Sequence, residues 1–313
     1  MAIATSTRGK ILTSALLLLL GVPGSGRAQP PVRAAGSRGG LLPRRASDDS
    51  VAAPDSAKGP SAAPAAKAAP ASATPDNRQR EDALPEMETD RPDFTEVASL
   101  VPVGHVQLES GQTFTREGGQ ASLAIGEALF RIGVTRRVEL RVATNSYSLQ
   151  GNGTGYDGGF EDIALGVKVG ILGAQRGWLP QLSVIGMTTL PTGSSLYSTG
   201  RLHPTVKLVT AWDLVEGISL GSNINWSRVD DGGDHDEYAA SASFGFDLAE
   251  RVGMYLEGFT FHAKFDGWER RDYLNGGFTF KVTPGLQLDV RAGMGPSPSQ
   301  GDFFTGIGLS RRW

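Results

Sequence analysis

From Gly104 to Trp313 apolar and polar residues alternate with a period of two, repeatedly. The clearest stretch is 162–171, where Ile163, Leu165, Val167, Val169 and Ile171 share one parity and Asp162, Ala164, Gly166, Lys168 and Gly170 the other. Successive side chains of a strand point to opposite faces, so this pattern predicts a strand with one apolar and one polar face. The segment 218–227 repeats it, with Ile218, Leu220, Ile224 and Trp226 against Ser219, Asn223, Asn225 and Ser227. So does 238–248, where Tyr238, Phe244, Phe246 and Leu248 oppose Ser241, Ser243, Gly245 and Asp247. Extending the reading predicts twelve strands, at 104–115, 122–134, 138–149, 160–172, 179–190, 203–212, 218–228, 238–248, 252–261, 272–282, 286–294 and 302–313. Strands of about 9–11 residues suit a tilted crossing of a bilayer, and an even number returns both ends to one side.

The predicted connections alternate in length. Those at 116–121, 150–159, 191–202, 229–237, 262–271 and 295–301 are longer, polar or glycine-rich; those at 135–137, 173–178, 213–217, 249–251 and 283–285 are mostly short. Long loops outside and short turns inside mark an outer-membrane barrel. A soluble sandwich would have strands nearer 5–6 residues and no such alternation. The fold expected is therefore all-β, a transmembrane antiparallel up-and-down barrel over 104–313.

The first hundred residues are different material. Arg8 and Lys10 precede the apolar run Ile11–Val22, and Gly26-Arg27-Ala28 offers small residues for cleavage after Ala28, so 1–28 reads as a signal peptide. That run is too short for a spanning helix, which needs about 20 apolar residues. Residues 29–87 are rich in Ala, Pro and Ser, with Pro54, Pro60, Pro64, Pro70 and Pro75 forbidding a long helix, and read as a disordered periplasmic linker. Residues 88–103 form a distinct pre-barrel segment. The location expected is the outer membrane, with this N-terminal part on the periplasmic side.

Composition narrows the chemistry. The chain has no cysteine, which removes disulfides, thiolate metal sites and cysteine catalysis together. Net charge is −3, so nothing argues for nucleic acid. Gly217-Ile218-Ser219-Leu220-Gly221 matches G-x-S-x-G, but that motif needs a strand–turn–helix and here the flanks read as strand. His105, His203, His235 and His262 are scattered. Asp230, Asp231, Asp234, Asp236 and Glu237 crowd one loop at no EF-hand spacing and read as a solvated acidic face. No catalytic residue, metal or cofactor is assigned.

The polar faces of the strands carry both signs of charge: Glu109, Glu127, Arg131, Glu139, Arg141, Asp162, Lys168, Lys207, Asp247, Glu257, Lys281, Asp289 and Arg291. Buried charges must be paired or wet, so these form either a packed ion-pair network or the lining of a narrow channel. Twelve strands lie between a filled eight-stranded barrel and an open pore of about 16.

Just before the first strand lies Glu88-Thr89-Asp90-Arg91-Pro92-Asp93-Phe94-Thr95-Glu96. With Gly104, Gln107-Leu108-Glu109, Glu127–Arg131, Asp162–Lys168 and Leu190-Pro191-Thr192-Gly193, it resembles the start and strands of the family named "Putative MetA-pathway of phenol degradation". The resemblance covers about 88–313 and implies an outer-membrane transporter-like protein; the phenol link lives in the family name alone. The last strand, with Phe303, Ile307, Leu309 and Trp313 on one face, resembles the signal read by the barrel assembly machinery, and Arg311 departs from it. Partners expected are that machinery, outer-membrane lipid and lipopolysaccharide, and a small solute.

Asp90, Arg91, Asp93, Phe94 and Glu96 are expected to fold back to the barrel mouth or into the lumen as a plug. The partners expected are Glu139 and Asp247 for Arg91, and Lys281 for Asp90 or Asp93. The leading function is passage of a small solute across the outer membrane, with a hydrophobic or aromatic solute the expectation that the family resemblance adds. An outer-membrane phospholipase and a sealed barrel anchoring the linker are the alternatives.

Overall fold

A computed structural model describes residues 84–144, 147–151, 155–174, 178–230, 233–264, 267–296 and 298–313. The signal peptide with its cleavage site, residues 29–83 of the linker, and Asp231 lie outside the described residues. The rest is strand joined by turns: β1 (Val106–Glu117), β2 (Gln120–Thr135), β3 (Val138–Thr144), β4 (Tyr147–Gly151), β5 (Tyr156–Phe160), β6 (Ile163–Leu172), β7 (Gln181–Leu190), β8 (His203–Val215), β9 (Ile218–Asp230), β10 (Asp234–Ala249), β11 (Val252–Lys264), β12 (Trp268–Thr283), β13 (Leu286–Met294) and β14 (Phe303–Arg312).

These fourteen stretches make twelve staves. β2 pairs with β3 along one half and with β4 along the other, so β3 and β4 form one stave; β5 on β4 and β6 on β3 form the next. Every neighbouring pair is antiparallel, and β1 pairs with both β2 and β14, which closes the barrel. Closure gives the backbone N–H and C=O groups of the strands partners without water, as a hydrocarbon solvent demands.

The alternation read from sequence sets the faces. Ile163, Leu165, Val167 and Val169 of β6 are exposed on the outside, as are Leu288 and Val290 of β13. Lys168, Gln287 and Asp289 point inward and are buried. An apolar belt this continuous needs lipid as its solvent. The barrel has a near end, where β1 starts and β14 finishes, and a far end. At the far end Trp226 lies opposite Tyr238 in the ladder, and the Tyr238 ring is 5.9 Å from that of Trp268. At the near end the Trp212 indole donates to the Trp178 carbonyl at 3.0 Å, and the Arg311 guanidinium sits 5.9 Å from the Trp313 ring. That contact accounts for an arginine on the apolar face: its stem lies in the belt and its head at the interface.

Four far-end connections are shorter than the sequence suggests, one of them the expected 150–159 loop, since β4 runs to Gly151 and β5 starts at Tyr156. β1 and β2 are joined through Gly118 and Gly119 alone, β9 ends at Asp230 with β10 starting at Asp234, and β11 ends at Lys264 with β12 starting at Trp268. Gly118 and Gly119 both have φ in the left-handed region, +57° and +80°, which a two-residue hairpin turn requires. The ladders continue past the apolar belt, where water wets both faces and alternation no longer marks a strand. The 191–202 connection is a true loop. It lies along β5, with Ser194 N donating to Phe160 O at 2.7 Å and Tyr197 Oη to Asp157 O at 2.9 Å.

Candidate functional site: a charged loop docked in the lumen

Residues 86–104 enter the barrel at the near end, turn within it, and leave by the same end to begin β1. Two limbs result, with the tip at Pro92–Thr95. The limbs are tied to each other by Val97 N donating to Asp90 Oδ1 at 2.9 Å. The Arg91–Pro92 peptide is cis.

The loop is held by charge on two sides. Arg131, Arg141, Lys168 and Lys207 line the β2–β8 wall together with Glu127 and Glu139, four cations against two carboxylates. Asp90 and Glu96 supply the missing two. Arg141 Nη2 donates to Asp90 Oδ2 and Glu96 Oε2, each at 2.7 Å; Lys207 pairs with Glu96; and Lys168 donates to the Val97 carbonyl. Arg131 forks onto Glu139 through Nε and Nη2, both at 3.0 Å, and reaches Glu109 at 3.0 Å through Nη1. On β1 and β13, Glu109 and Asp289 stand against the single cation Arg291, and Arg91 balances them. Its guanidinium lies 3.1 Å from Glu127 and 3.4 Å from Asp289, donates to the Ile307 carbonyl at 3.2 Å, and its backbone N donates to Glu109 at 2.9 Å. Burying a charge costs several kcal/mol unless it is paired, so the wall and the loop each lower the cost of the other's burial.

The tip rests on Glu257 of β11. Its carboxylate accepts from Phe94 N at 2.9 Å, Thr95 N at 2.6 Å and Asn275 Nδ2 at 3.0 Å, with Thr95 Oγ1 at 2.6 Å. Burial raises the carboxyls of Asp90 and Glu96, and the cations around them more than offset it: both sit below the ordinary carboxylate range, Asp90 far below. Asp93 goes the other way. Burial, then the neighbouring Glu257 carboxylate, push its carboxyl well up.

Beyond the tip, toward the far end, the lumen is aromatic. Phe94 stacks on Phe259 with ring centroids 4.7 Å apart, and Phe259 stacks on Tyr273 at 4.8 Å. Phe261 meets Phe94 edge-on at 5.2 Å, and Phe304 closes the group 6.3 Å from Phe259. A smaller apolar patch, Ile185, Val209 and Met187, packs on Ala98 of the returning limb. Below the tip a cavity of about 790 Å³ opens to the near end between the loop and the β8–β12 wall, lined by small and polar residues such as Ser219, Gly221, Ser243 and Gly245.

The residues singled out from sequence are placed as follows. Glu109, Glu127, Arg131, Glu139, Arg141, Lys168, Lys207, Glu257, Asp289 and Arg291 surround the loop, and Asp90, Arg91, Asp93, Phe94 and Glu96 form it. Three others stand apart. Asp162 accepts the backbone N–H groups of Thr192 and Gly193 and so fixes the far-end loop; Asp247 is exposed at the near end; Lys281 pairs with Glu86 at the mouth. The partners expected for Arg91 and Asp90 are thus replaced: Arg91 reaches Glu127 and Asp289 instead of Glu139 and Asp247, and Asp90 reaches Arg141 instead of Lys281. The loop penetrates deeper than a mouth cap would. Ser219 lies within β9, on a strand with no helix after it, so its G-x-S-x-G context lacks the turn that would present the hydroxyl. Sequence reading missed the lumen aromatics. Their signal was present: along β11, Phe259 and Phe261 share parity with Tyr255 and Glu257, opposite Gly258 and Thr260, an inversion of the usual alternation.

The barrel fold has counterparts among solved structures. An outer-membrane channel from Pseudomonas putida F1 superposes with a TM-score of 0.50 at 16% identity, covering 72% of this chain and all of that one. The porin NanC gives 0.46 at 8% identity, covering 65% of this chain and 98% of its own. No functionally curated protein matches the chain. The model of one family, described as "Putative MetA-pathway of phenol degradation", matches residues 89–313, which takes in both the loop and the barrel, and the chain belongs to that family.

Proposed function

We propose that this protein is an outer-membrane conduit for a small solute, held shut by its own 88–103 segment, with the near end facing the periplasm. The observation that carries the reading is charge complementarity. The loop brings two carboxylates to a wall with two cations in excess and one cation to a wall with one carboxylate in excess. A segment serving only to start β1 would need no such match along both limbs. With the loop docked, the lumen holds a blind vestibule on the periplasmic side; with the loop out, the same space becomes continuous with the aromatic half.

The test is planar-bilayer conductance of the refolded protein with residues 88–96 deleted. A conduit closed by the loop predicts normal heat-modifiable migration on gels and larger or more frequent openings than the unaltered chain. A correctly assembled deletion variant that remains silent would overturn the reading and leave a sealed barrel.

A further inference from the structure

Phe94 is the one aromatic side chain that the loop carries into the lumen, and its place there is specific. Phe259 and Tyr273 project from β11 and β12 as two stacked rings with an interplanar angle of only 7°. Phe94 adds a third ring to that column at 4.7 Å, 21° from parallel. Phe261 stands edge-on to all three, 69° from Phe94, 89° from Phe259 and 86° from Tyr273. Offset stacks crossed by an edge-on ring are the arrangement aromatic quadrupoles prefer. The wall makes room for the column: a Cβ at Gly293 would run into the Phe304 ring, so glycine there lets that ring lie against β13. A polar rim stands above it. Arg271 lies 5.4 Å from the Phe261 ring and pairs with Glu237 at 2.6 Å, and the Tyr273 hydroxyl lies 3.3 Å from Glu117.

Of the four rings in this arrangement, three are fixed to the barrel. The fourth, Phe94, belongs to the segment that obstructs it. A flat ring in the position of Phe94 would meet Phe259 and Phe261 as Phe94 does, and Asp93 and Thr95 on either side of Phe94 line the vestibule cavity.

We infer that the column of Phe259, Tyr273 and Phe261 is a binding subsite for a flat aromatic ring, that Phe94 occupies it as a built-in surrogate, and that a solute's ring taking its place frees the loop tip. The inference rests on the conduit reading. A solute shifts the loop only by binding the freed state better than the docked one, and exclusive use of one ring position supplies that difference. Stacking is largely exchanged, not lost, because the entering ring restores the contact that Phe94 gives up. The remaining resistance at the tip is the grip of Glu257 on Phe94 N, Thr95 N and Thr95 Oγ1, with the Arg291 guanidinium on the Pro92 carbonyl at 2.9 Å and Ser241 on the Thr95 hydroxyl at 2.8 Å.

The experiment uses the full-length refolded protein in planar bilayers with two neutral probes of nearly equal shape, benzyl alcohol and cyclohexylmethanol. Both enter lipid, so the comparison between them removes effects of the bilayer. Benzyl alcohol should raise opening frequency saturably, at about 2- to 10-fold lower concentration than the saturated probe, the margin that ring-on-ring geometry adds to shared apolar area. Phe94→Leu, which keeps the bulk and loses the quadrupole, should open more often without probe and respond more steeply to benzyl alcohol. Phe259→Leu should remove the preference between the probes while leaving the protein assembled. Equal potency of the two probes on the unaltered protein, or an unchanged preference in Phe259→Leu, would overturn the subsite. Either result leaves the conduit reading standing if the 88–96 deletion conducts, so the two fail separately.

Discussion

Gly308→Ala tests the docking of the loop from the opposite side, by altering the wall and leaving the loop untouched. Gly308 lies on β14 facing the lumen, between Gly111 on β1 and Asp289 on β13. A methyl group there would sit 2.6 Å from Arg91 Nη2 and 2.7 Å from Arg91 Cζ. A methyl carbon, which makes no hydrogen bond, does not tolerate that separation, so one side must move. The wall is pinned by ladders on both edges of β14. The guanidinium is the far end of a flexible side chain, and it gives way. Moving it strips Glu127 and Asp289 of their loop partner. Asp289 has a fully buried side chain, while that of Glu127 is 22% exposed and keeps Arg291 at 4.0 Å. Breaking a buried pair from one side costs about 3–5 kcal/mol. Water at Glu127 places the effect at the low end, about 3 kcal/mol, or roughly 10²-fold in the docking equilibrium. The expected result is a channel that assembles normally and opens on the order of 10²-fold more often. Gly186→Ala is the control, since nothing lies within 4 Å of a Cβ there. The decisive variant is the double, Gly308→Ala with Arg91→Ala. If Gly308 acts through Arg91, the double should open no more often than Arg91→Ala alone, because the clash has nothing left to displace. Additive effects in the double, or impaired assembly of Gly308→Ala, would refute the reasoning and locate the damage in the wall.

Three further outcomes follow from the same geometry. Asp93, whose carboxyl is raised by burial and by Glu257, stabilises docking fully below the ordinary carboxylate range and loses that contribution as pH rises through its raised value; Asp93→Asn should therefore lower opening frequency at neutral pH and flatten its rise with pH between acid and neutral solution, as conductance would show. Val167→Arg on the lipid-facing side of β6 should cost about 2–4 kcal/mol in reversible folding into vesicles if it sits near the bilayer midplane, against little for the lumen-facing Ala164→Ser; equal costs would reverse the faces (Gly166 is unsuitable for this comparison, since a Cβ there would lie 2.7 Å from the Gly186 carbonyl). On intact cells an impermeant thiol reagent should label Leu196→Cys in the far-end loop and spare Glu250→Cys at the near end, and the opposite pattern would invert the orientation.

How much of this was legible in the sequence depended on which solvent each residue meets. The staves were readable wherever one face meets lipid and the other the lumen, because that difference writes a period of two. It failed at the far ends of β9 to β12, where both faces meet water and the ladder runs on through Asp234, Asp236 and Glu269 without an apolar parity. It failed again inside β11. There the lumen turns aromatic beside the loop tip, and Phe259 and Phe261 face inward while Gly258 and Thr260 face lipid. The loop itself was marked by mixed charge around one phenylalanine, but its depth was not. Depth depends on which rung of the barrel each charge reaches, and that is set by register. The bulge at Gly126, with φ of +74°, shifts β2 by one residue against β1, bringing Glu127 level with Gly111 on the lumen side, beside Arg91. Composition can name the charges that will neutralise one another. Only the ladder says which of them stand at the same height, and in a lumen of fixed wall positions that height decides whether a polar segment caps the mouth or closes the pore.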